Sequence, residues 1–423
     1  MQDKLDRLVE LHSEAAFAFL EAMVRQPSVV GAEQSAMAVF EGEARSLDLK
    51  VERLPFANGA MHDSRAGVAP PADAVTQDRY QALASTPGDS PLTLLLNGHM
   101  DVVPADSPQL WTGHPFEPVR RNGRLYGRGA ADMKSGFAVG TLALRALRDV
   151  APDLFATRRL GFVAVIEEEC TGNGALRSVS EHGVTADEVV LLEPTDLGLL
   201  IGGVGVMWID IEIASPAGHA HDATAHSSAI ELGFRLIEAL KQWAEDLGRT
   251  EPEPSMASNL TPYALNLGKV RAGDWTSSVP AHAVFSVRVG YPRSWTPDKA
   301  EAELREIIAS FAASAGFPVQ PRVTLTGFRA KGYRLDESSR LVRDLSAAHY
   351  AAHGVSPAVY SLGSTTDARI YLNEFNIPAV CFGAVAHDMH GIDESVELQS
   401  IIDAAKTLAR FILMRFGESK AQT

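Results

Sequence analysis

Short apolar segments alternate with helical segments along this chain, and this alternation constrains its fold more than any other feature. Residues 92–97, 160–167 and 188–193 are predominantly apolar and are predicted to be buried strands. Helical periodicity lies between them at 133–150 and 174–182. Strands that alternate with helices form a mainly parallel sheet covered on both faces. We therefore predict an α/β fold in which helices flank a mainly parallel sheet.

The middle of the chain has a different order of elements. Apolar and polar residues alternate at 206–214, which is typical of a half-exposed strand, and two helices follow among further strands. The order β-α-β-β-α-β is the ferredoxin-like split βαβ arrangement. With 423 residues, the chain is too long for one ordinary domain. We predict an α+β lid domain inserted into the parallel-sheet domain, with divisions at 1–205, 206–326 and 327–423.

The segment 58–91 interrupts these patterns. It is rich in Gly, Pro, Ser and Asp, which favour turns. We predict a long surface excursion there and assign it no function.

Charge and cysteine content exclude some classes of protein. The formal net charge is −15, from 38 basic and 53 acidic residues, so no nucleic-acid partner is expected. No stretch reaches the roughly 18 apolar residues of a membrane span, so no membrane contact is expected. The first ten residues contain charges and no apolar signal region, and the only cysteines are Cys170 and Cys381. We expect a soluble protein of the reducing cytoplasm.

Two segments carry His or Asp close to predicted elements. In GHMDVVP, His99 and Asp101 follow the first apolar strand. A neutral imidazole suits zinc, and a ligating His usually donates its other N–H to a carboxylate, which Asp101 could supply. In GRGAADMKSG, Asp132 precedes a helix, and a carboxylate there could bridge two metals. Each also has an ordinary structural explanation, with His99 capped by Asp101 in a loop and Asp132 as a helix N-cap.

Acidic residues follow the next two strands. Glu167, Glu168 and Glu169 are consecutive, and a run of acids usually forms a solvated surface. The apolar strand before them and the turn TGNG after them argue against simple exposure, and adjacent carboxylates repel unless cations neutralise them. Glu193 ends another apolar strand, where a carboxylate needs either a metal or a buried salt bridge.

The segment HDMHGIDE contains the last candidate ligands. His387 and His390 follow the strand at 379–383, and either could be a second metal-binding imidazole. Sites in open α/β sheets form at the carboxyl ends of the strands. Because imidazoles and carboxylates follow successive strands, the joint pattern predicts a site suited to zinc or cobalt.

Three motifs, GHMDVVP, GRGAADMKSG and EEECTGNGA, occur in an order that marks a known family. The chain resembles, over nearly its whole length, the acetylornithine deacetylase, succinyl-diaminopimelate desuccinylase and aminoacylase family of two-zinc amidohydrolases and metallopeptidases. The resemblance implies two zinc ions per subunit, replaceable by cobalt or manganese. It also implies that a homodimer, joined through its lid domains, hydrolyses the amide bond of a small N-acyl amino acid or related amide.

The resemblance further implies a set of metal ligands. Asp132 would bridge both ions. His390 would be the second imidazole, because its spacing to Asp393 and Glu394 is that of the family. The full implied set is His99, Asp132, Glu169, Glu193 and His390.

Catalytic roles follow from the same resemblance. Counting back from Gly174 places Glu168 at the position of the family's general base and Glu169 at that of a ligand. Asp101 would hold the His99 ring. The base would take a proton from the attacking water and give it to the leaving amine.

Three residues are implied to contact the substrate. His219, whose spacing selects it over His221 and His226, would stabilise the oxyanion, and in family dimers this residue reaches the other subunit's site. Arg288 would bind a substrate carboxylate, and Thr365 would contact the substrate backbone. The ordinary alternatives are a solvent-exposed histidine loop and, for Arg288, a surface ion pair.

Two other functions share part of these observations. A dipeptidase or carboxypeptidase of the same family would use the same site, so only substrates separate it from a deacylase. A non-catalytic protein that binds small molecules would lack a ligand or the base, whereas every such position is filled here. Ser277 and Ser278 stand where family members often have Asn, so the substrate is left unnamed.

Overall fold

The computed structural model describes residues 2–56, 62–68, 78–223, 228–256 and 261–417. The helices in these ranges are α1 (Gln2–Val24), α2 (Gln34–Ser46), α3 (Lys134–Val150), α4 (Pro152–Thr157), α5 (Asn173–Ser180), α6 (Ala229–Thr250), α7 (Pro297–Ser314), α8 (Arg340–His353), α9 (Ala368–Phe375) and α10 (Leu398–Phe416). None of these helices is both long enough and apolar enough to cross a membrane.

The strands in the same ranges form several sheets. They are β1 (Lys50–Pro55), β2 (His62–Asp63), β3 (Gly67–Val68), β4 (Tyr80–Ser85), β5 (Leu94–His99), β6 (Val119–Arg121), β7 (Arg124–Tyr126), β8 (Leu160–Val165), β9 (Val189–Leu191), β10 (Leu199–Gly203), β11 (Gly205–Ala214), β12 (Gly218–His219), β13 (Leu265–Ala272), β14 (Ser278–Val279), β15 (His282–Tyr291), β16 (Arg322–Ala330), β17 (Tyr333–Arg334), β18 (Val359–Leu362), β19 (Ala379–Cys381), β20 (Ala386–His387) and β21 (Ser395–Glu397).

The central sheet has the order β1-β4-β8-β5-β9-β19-β10-β17, with β18 beside β10. At its centre, β5 pairs in parallel with β8 and β9, and β9 with β19. Antiparallel pairs lie outside this centre, where β4 joins β1 to β8 and β10 joins β19 to β17. The predicted α/β class with a mainly parallel central sheet is confirmed.

Strands β5 and β8 are buried along their whole length. Leu94 and Leu96 face a core formed with α1, α3 and α10, while Leu95 between them faces a second core formed with α5 and α9. In the first core, Phe137 and Phe162 stack with ring centroids 5.2 Å apart. Because both faces need apolar side chains, such strands are continuously apolar, and the sequence therefore revealed them.

A six-stranded sheet has the order β13-β15-β11-β16-β3-β2. We call it the lid sheet. Its own core lies against α6 and α7 and includes Ile209, Ile211 and Phe285. Alternate residues of β11 are half-buried and point away from this core. The elements β11, α6, β13, β15, α7 and β16 follow the β-α-β-β-α-β order, apart from the short β12 and β14, which pair with each other. The division at 206 and 326 remains a prediction, and β16 runs past its second limit to Ala330.

The predicted surface excursion over 58–91 is wrong in its last part. Strand β4 lies inside the central sheet between β1 and β8, and its residues Ala82 and Ala84 are fully buried. Alanines carry a weak apolar signal, and the turn-forming residues around them obscured the strand. Residues 62–68 form β2 and β3 at the edge of the lid sheet. Residues 57–61 and 69–77 lie outside the described ranges.

Candidate active site

Three neighbouring parallel strands end at one edge of the central sheet. Strand β5 ends at His99, which lies opposite Val165 at the end of β8. The acidic residues 167–169 follow β8, and Glu193 follows β9. Asp132 lies just before α3. Because the carboxyl ends of adjacent parallel strands meet at one edge, the chain brings these side chains together there.

The two imidazoles contact opposite oxygens of one aspartate. His99 Nε2 lies 3.1 Å from Asp132 Oδ1, and His390 Nε2 lies 3.2 Å from Asp132 Oδ2. His390 Nε2 also lies 3.1 Å from Glu169 Oε1. One donor atom each from His99, Asp132 and Glu169 lie within 4.8 Å of one another, a spacing that allows a metal site at this cluster. Asp132 thus lies between the two imidazoles, and its role as a bridging carboxylate remains a prediction.

Two glutamates complete the arrangement around His99. Its Nε2 lies 3.8 Å from Glu193 Oε2 and 3.9 Å from Glu168 Oε2. Both glutamates are buried, each 7% exposed. Among the described residues, Glu193 Oε1 has no hydrogen-bond partner. A buried carboxylate oxygen without a protein partner fits a cation ligand better than it fits a salt bridge.

Burial and crowding change the protonation of this cluster. Burial, aided by the charge of Asp132, raises the pKa of Glu193 to about 8. Burial and the nearby Glu193 raise the pKa of Glu168 well above its usual value. Burial opposes the charging of His390, but hydrogen bonds to Asp132 and Glu169 prevail and raise its pKa to about 11. Nitrogen and oxygen donors crowded in this way fit a divalent cation of the zinc type.

Asp101 contacts the cluster in two ways. His99 Nδ1 lies 2.8 Å from the backbone oxygen of Asp101 but 3.9 Å from its carboxylate. The carboxylate accepts hydrogen bonds from the backbone N–H groups of Glu168 and Glu169, at 3.3 and 3.1 Å. Asp101 therefore orients the His99 ring mainly through its main chain and the acidic residues through its side chain.

Arg79 lies against residues 167–174, which we call the acid turn. Its guanidinium donates to Glu33 at 2.7 and 3.2 Å and to Glu167 at 2.6 Å. All three side chains are at most 4% exposed. Glu167 has a φ of 64°, in the left-handed region that residues with a Cβ adopt rarely. This triad therefore holds the residue that immediately precedes Glu168, a role that the sequence did not reveal.

A second buried ion pair joins the loops that carry Asp132 and His390. Glu394 accepts the backbone N–H groups of Ala131 and Asp132, each at 3.0 Å, and pairs with Arg128. Arg128 also donates to the backbone oxygen of His390 at 3.3 Å. In the sequence, Glu394 stands out only by its spacing to His390 and by its charge. Its pairing with Arg128, which is distant in the chain, cannot be inferred from that spacing.

The remaining candidate histidines that the structure describes lie away from the metal-ligand cluster. His387 bonds to Glu397 at 2.8 Å, so the loop brings His390 rather than His387 to the cluster. His219 is exposed and contacts His221, with 2.7 Å between their Nδ1 atoms, and it does not line the cavity described below. Its role in catalysis remains a prediction. His226 lies outside the described residues.

A cavity of about 580 Å³ lies above the cluster, between the central sheet and the lid sheet. Asp132, Glu168, Glu169, Glu193 and His390 lie at its floor, and Arg288 and Thr365 also line it. Among the described residues, the Oγ1 atom of Thr365 is buried without a hydrogen-bond partner. Arg288 and Thr365 are therefore placed where a substrate would lie, and their binding roles remain predictions.

The fold and site together define a hydrolytic enzyme, in which imidazoles and carboxylates meet at the floor of one cavity. Residues 95–414 match the sequence profile of peptidase family M20/M25/M40, and the chain belongs to this family. It is 29% identical over 412 residues to succinyl-diaminopimelate desuccinylase from Methylobacterium sp. strain 4-46, covering 95% of this chain and 96% of that protein.

Many solved structures share its fold, and two of them illustrate the range of similarity. The di-peptidase Dug1p from Saccharomyces cerevisiae superposes with a TM-score of 0.81 at 14% identity, over 99% of each chain. The Bacillus subtilis YXEP protein, described as a dinuclear metal-binding peptidase of the M20 family, has a TM-score of 0.62 at 13% identity, over 96% of this chain and 99% of that chain. At these identities the likeness shows the fold alone.

Proposed function

We propose that this hydrolase cleaves the amide bond of a small N-acyl amino acid or a closely related amide. The observation that carries the proposal is the position of Glu168. It is buried at the cavity floor, 3.9 Å from His99 Nε2, beside the imidazole and carboxylate cluster. A carboxylate there can reach both the attacking water and the leaving nitrogen of an amide above the floor. The desuccinylase similarity supports a linear amide as substrate.

The cluster provides ligands for two divalent cations, which we propose to be zinc. His99, Asp132 and Glu193 would hold one ion, and His390, Asp132 and Glu169 would hold the other. The dinuclear character of the YXEP protein supports this count. When bound, such ions would lower the pKa of water and polarise the scissile carbonyl.

The protein's own groups have distinct tasks in this reaction. Glu168 accepts the proton of the attacking water and later donates it to the leaving amine. Arg288, which lines the same cavity, binds the substrate carboxylate and so fixes the amide above the floor. The acid turn and Asp101 hold the base in position throughout.

We also propose that the enzyme is a homodimer. His219 is exposed and lies outside the cavity of its own chain. A second chain would bring its imidazole to the substrate, where it would stabilise the oxyanion. Free Cys170 and Cys381 support a reducing compartment, and we propose the cytoplasm.

The test is amine release from N-acetyl, N-formyl and N-succinyl amino acids and from dipeptides, using zinc- and cobalt-loaded protein. We expect turnover of at least one N-acyl amino acid, and a Glu168→Gln variant that keeps its metal but loses about 10²–10⁴-fold in kcat. Glu117→Gln, an exposed acid outside the cluster, is the matched control. Cleavage of dipeptides alone would make the enzyme a peptidase, and a fully active, metal-loaded Glu168→Gln variant would remove the proposed base.

A further inference from the structure

The cavity has a charged floor and a mostly apolar wall. The wall comprises the lining residues outside the floor, among them Trp208, Arg288, Phe328, Leu362 and Met389. Outside the floor cluster, Arg288 is the one charged side chain among the described residues that line it. Its hydrogen bonds go to the backbone oxygens of Ala264 and Gly363, at 2.9 and 2.8 Å, and none of the described carboxylates pairs with it. One unneutralised guanidinium matches one carboxylate of a ligand.

Arg288 belongs to a row of side chains on one face of the lid sheet. It lies opposite Trp208 on β11 and opposite Asn266 on β13, and all three line the cavity. Directly opposed residues of antiparallel strands share a face. The row therefore places an indole immediately beside the predicted carboxylate-binding residue.

An aromatic pair extends this row. The Trp208 and Phe328 rings meet edge to face, with centroids 5.4 Å apart and planes at 82°. Gly327 makes room for the indole, since a Cβ there would lie 2.4 Å from the Trp208 ring. Leu362 and Met389, which are 43% and 47% exposed, add apolar surface to the cavity. This apolar surface favours an apolar group. Among the described lining residues outside the floor, a second carboxylate would find no second cation and only the neutral side chains of Asn266, Ser364, Thr365 and Thr366.

We propose that the substrate carries a single carboxylate and an apolar substituent, as in an N-acyl derivative of a hydrophobic amino acid, and that Trp208 and Phe328 select that substituent. This inference rests on the proposed amide hydrolysis and narrows it. The substrate in the name of the Methylobacterium relative carries several carboxylates and an ammonium group. Arg288 can pair with only one of those carboxylates, so this chain is expected to discriminate against it.

The first experiment compares kcat/KM for N-acetyl-L-phenylalanine, N-acetyl-L-leucine, N-acetylglycine, N-acetyl-L-glutamate and N-succinyl-L,L-diaminopimelate on metal-loaded enzyme. We expect the phenylalanine and leucine derivatives to exceed the other three by at least about tenfold. A preference for glutamate or diaminopimelate derivatives would overturn this inference and leave the proposed hydrolysis intact. Hydrolysis of none of the N-acyl compounds would instead overturn the proposed function.

Alanine variants test which residues determine the preference for an apolar substituent. Phe328→Ala should lower kcat/KM for the phenylalanine derivative about tenfold or more and change that for N-acetylglycine little. The matched control is Phe234→Ala, because Phe234 and Phe285 form a similar edge-to-face pair, 5.4 Å apart, on the helix-covered side of the lid sheet. Equal losses for both substrates in Phe328→Ala, or the same selectivity change in Phe234→Ala, would contradict the assignment.

A variant that gains activity cannot be explained by misfolding, so it provides an independent test. Leu362 is exposed, so Leu362→Arg should fold normally and place a second cation in the cavity. We expect its kcat/KM to rise about tenfold for N-acetyl-L-glutamate relative to N-acetyl-L-phenylalanine. An unchanged ratio in a folded, metal-loaded Leu362→Arg variant would overturn the single-carboxylate assignment.

Discussion

The floor and the wall of the cavity are built by different means. At the floor, Glu168 and Glu193 are buried, Asp132 and Glu169 are half-buried, and His390 is exposed. The acid turn and the loops that carry Asp132 and His390 are held by further buried groups such as Arg79, Asp101 and Glu394. At the wall, Trp208 and Arg288 are half-buried on the lid sheet, and Trp208 packs against Phe328 at the margin of the lid core. The comparison shows that a network of buried hydrogen bonds and ion pairs fixes the geometry of the floor, whereas individual side-chain contacts shape the wall. Changes at the floor should therefore affect all substrates alike, whereas changes at the wall should separate them.

The largest effect is expected from Asp132→Ala at the floor. Both imidazoles lose their shared carboxylate, so metal content should fall and kcat should drop by about 10³-fold or more for every substrate. Metal analysis and steady-state kinetics measure this. Asp106→Ala, an exposed acid further along the loop after β5, is the control and should behave as the parent. An Asp132→Ala enzyme with full metal and activity would remove the distinction between floor and wall.

Arg79→Met tests whether the network supports the floor. It leaves Glu33 and Glu167 buried without their cation, and breaking such a pair costs about 3–5 kcal/mol of unfolding free energy. Because Glu167 immediately precedes Glu168, kcat should also fall by about tenfold or more, with KM nearly constant. Urea unfolding and kinetics give the two numbers. Arg65→Met, at a more exposed pair with Asp63, should change neither. A normal kcat in a destabilised Arg79→Met enzyme would restrict the triad to a structural role.

Arg288→Met tests the wall. Loss of the guanidinium should raise KM about 10–100-fold for an N-acyl amino acid, since one charge-assisted pair is lost. The same substrate with its carboxylate converted to an amide should be hydrolysed equally well by parent and variant. Metal content should be unchanged. Equal losses for acid and amide would place Arg288 in the supporting framework instead of at the substrate.

Metal removal should expose a pH dependence of stability that comes from the ligands at the floor. The pKa of Glu193 is raised to about 8 from 4.5, and that of His390 to about 11 from 6.5. Between pH 6 and 8 these two groups therefore bind more protons in the folded, metal-free protein than in the unfolded chain, so the stability that they contribute falls as pH rises. Melting temperatures of chelator-treated protein should decline across this range, whereas zinc-loaded protein should not show this decline. A flat profile without metal would contradict the crowding of charge at the floor.

The sequence predicted the floor better than its supports. His99, the acidic run and Glu193 each follow an apolar strand, so periodicity and strand-end chemistry pointed to one edge of a sheet. Arg79 escaped because it precedes a short alanine-containing strand, flanked by turn formers, whose pairing with β1 and β8 is a long-range property. The sequence also could not show that Asp101 contacts His99 through its backbone oxygen and the acid turn through its carboxylate. The residue type alone does not tell which of its oxygens makes a contact. Of the wall, the sequence showed only that residues 206–214 alternate as a strand. That Trp208 lies beside Arg288 depends on the register between β11 and β15, which the sequence does not give.

The residues of the floor are spread from position 99 to position 390 of a 423-residue chain. Folding must therefore dock the segment around His390 against strand ends that lie far from it in the chain. Until it docks, the crowded acids lack both the His390 imidazole and the Arg128–Glu394 ion pair. Because contacts between distant segments are costly in chain entropy, we expect the metal site to be among the last parts of the fold to assemble.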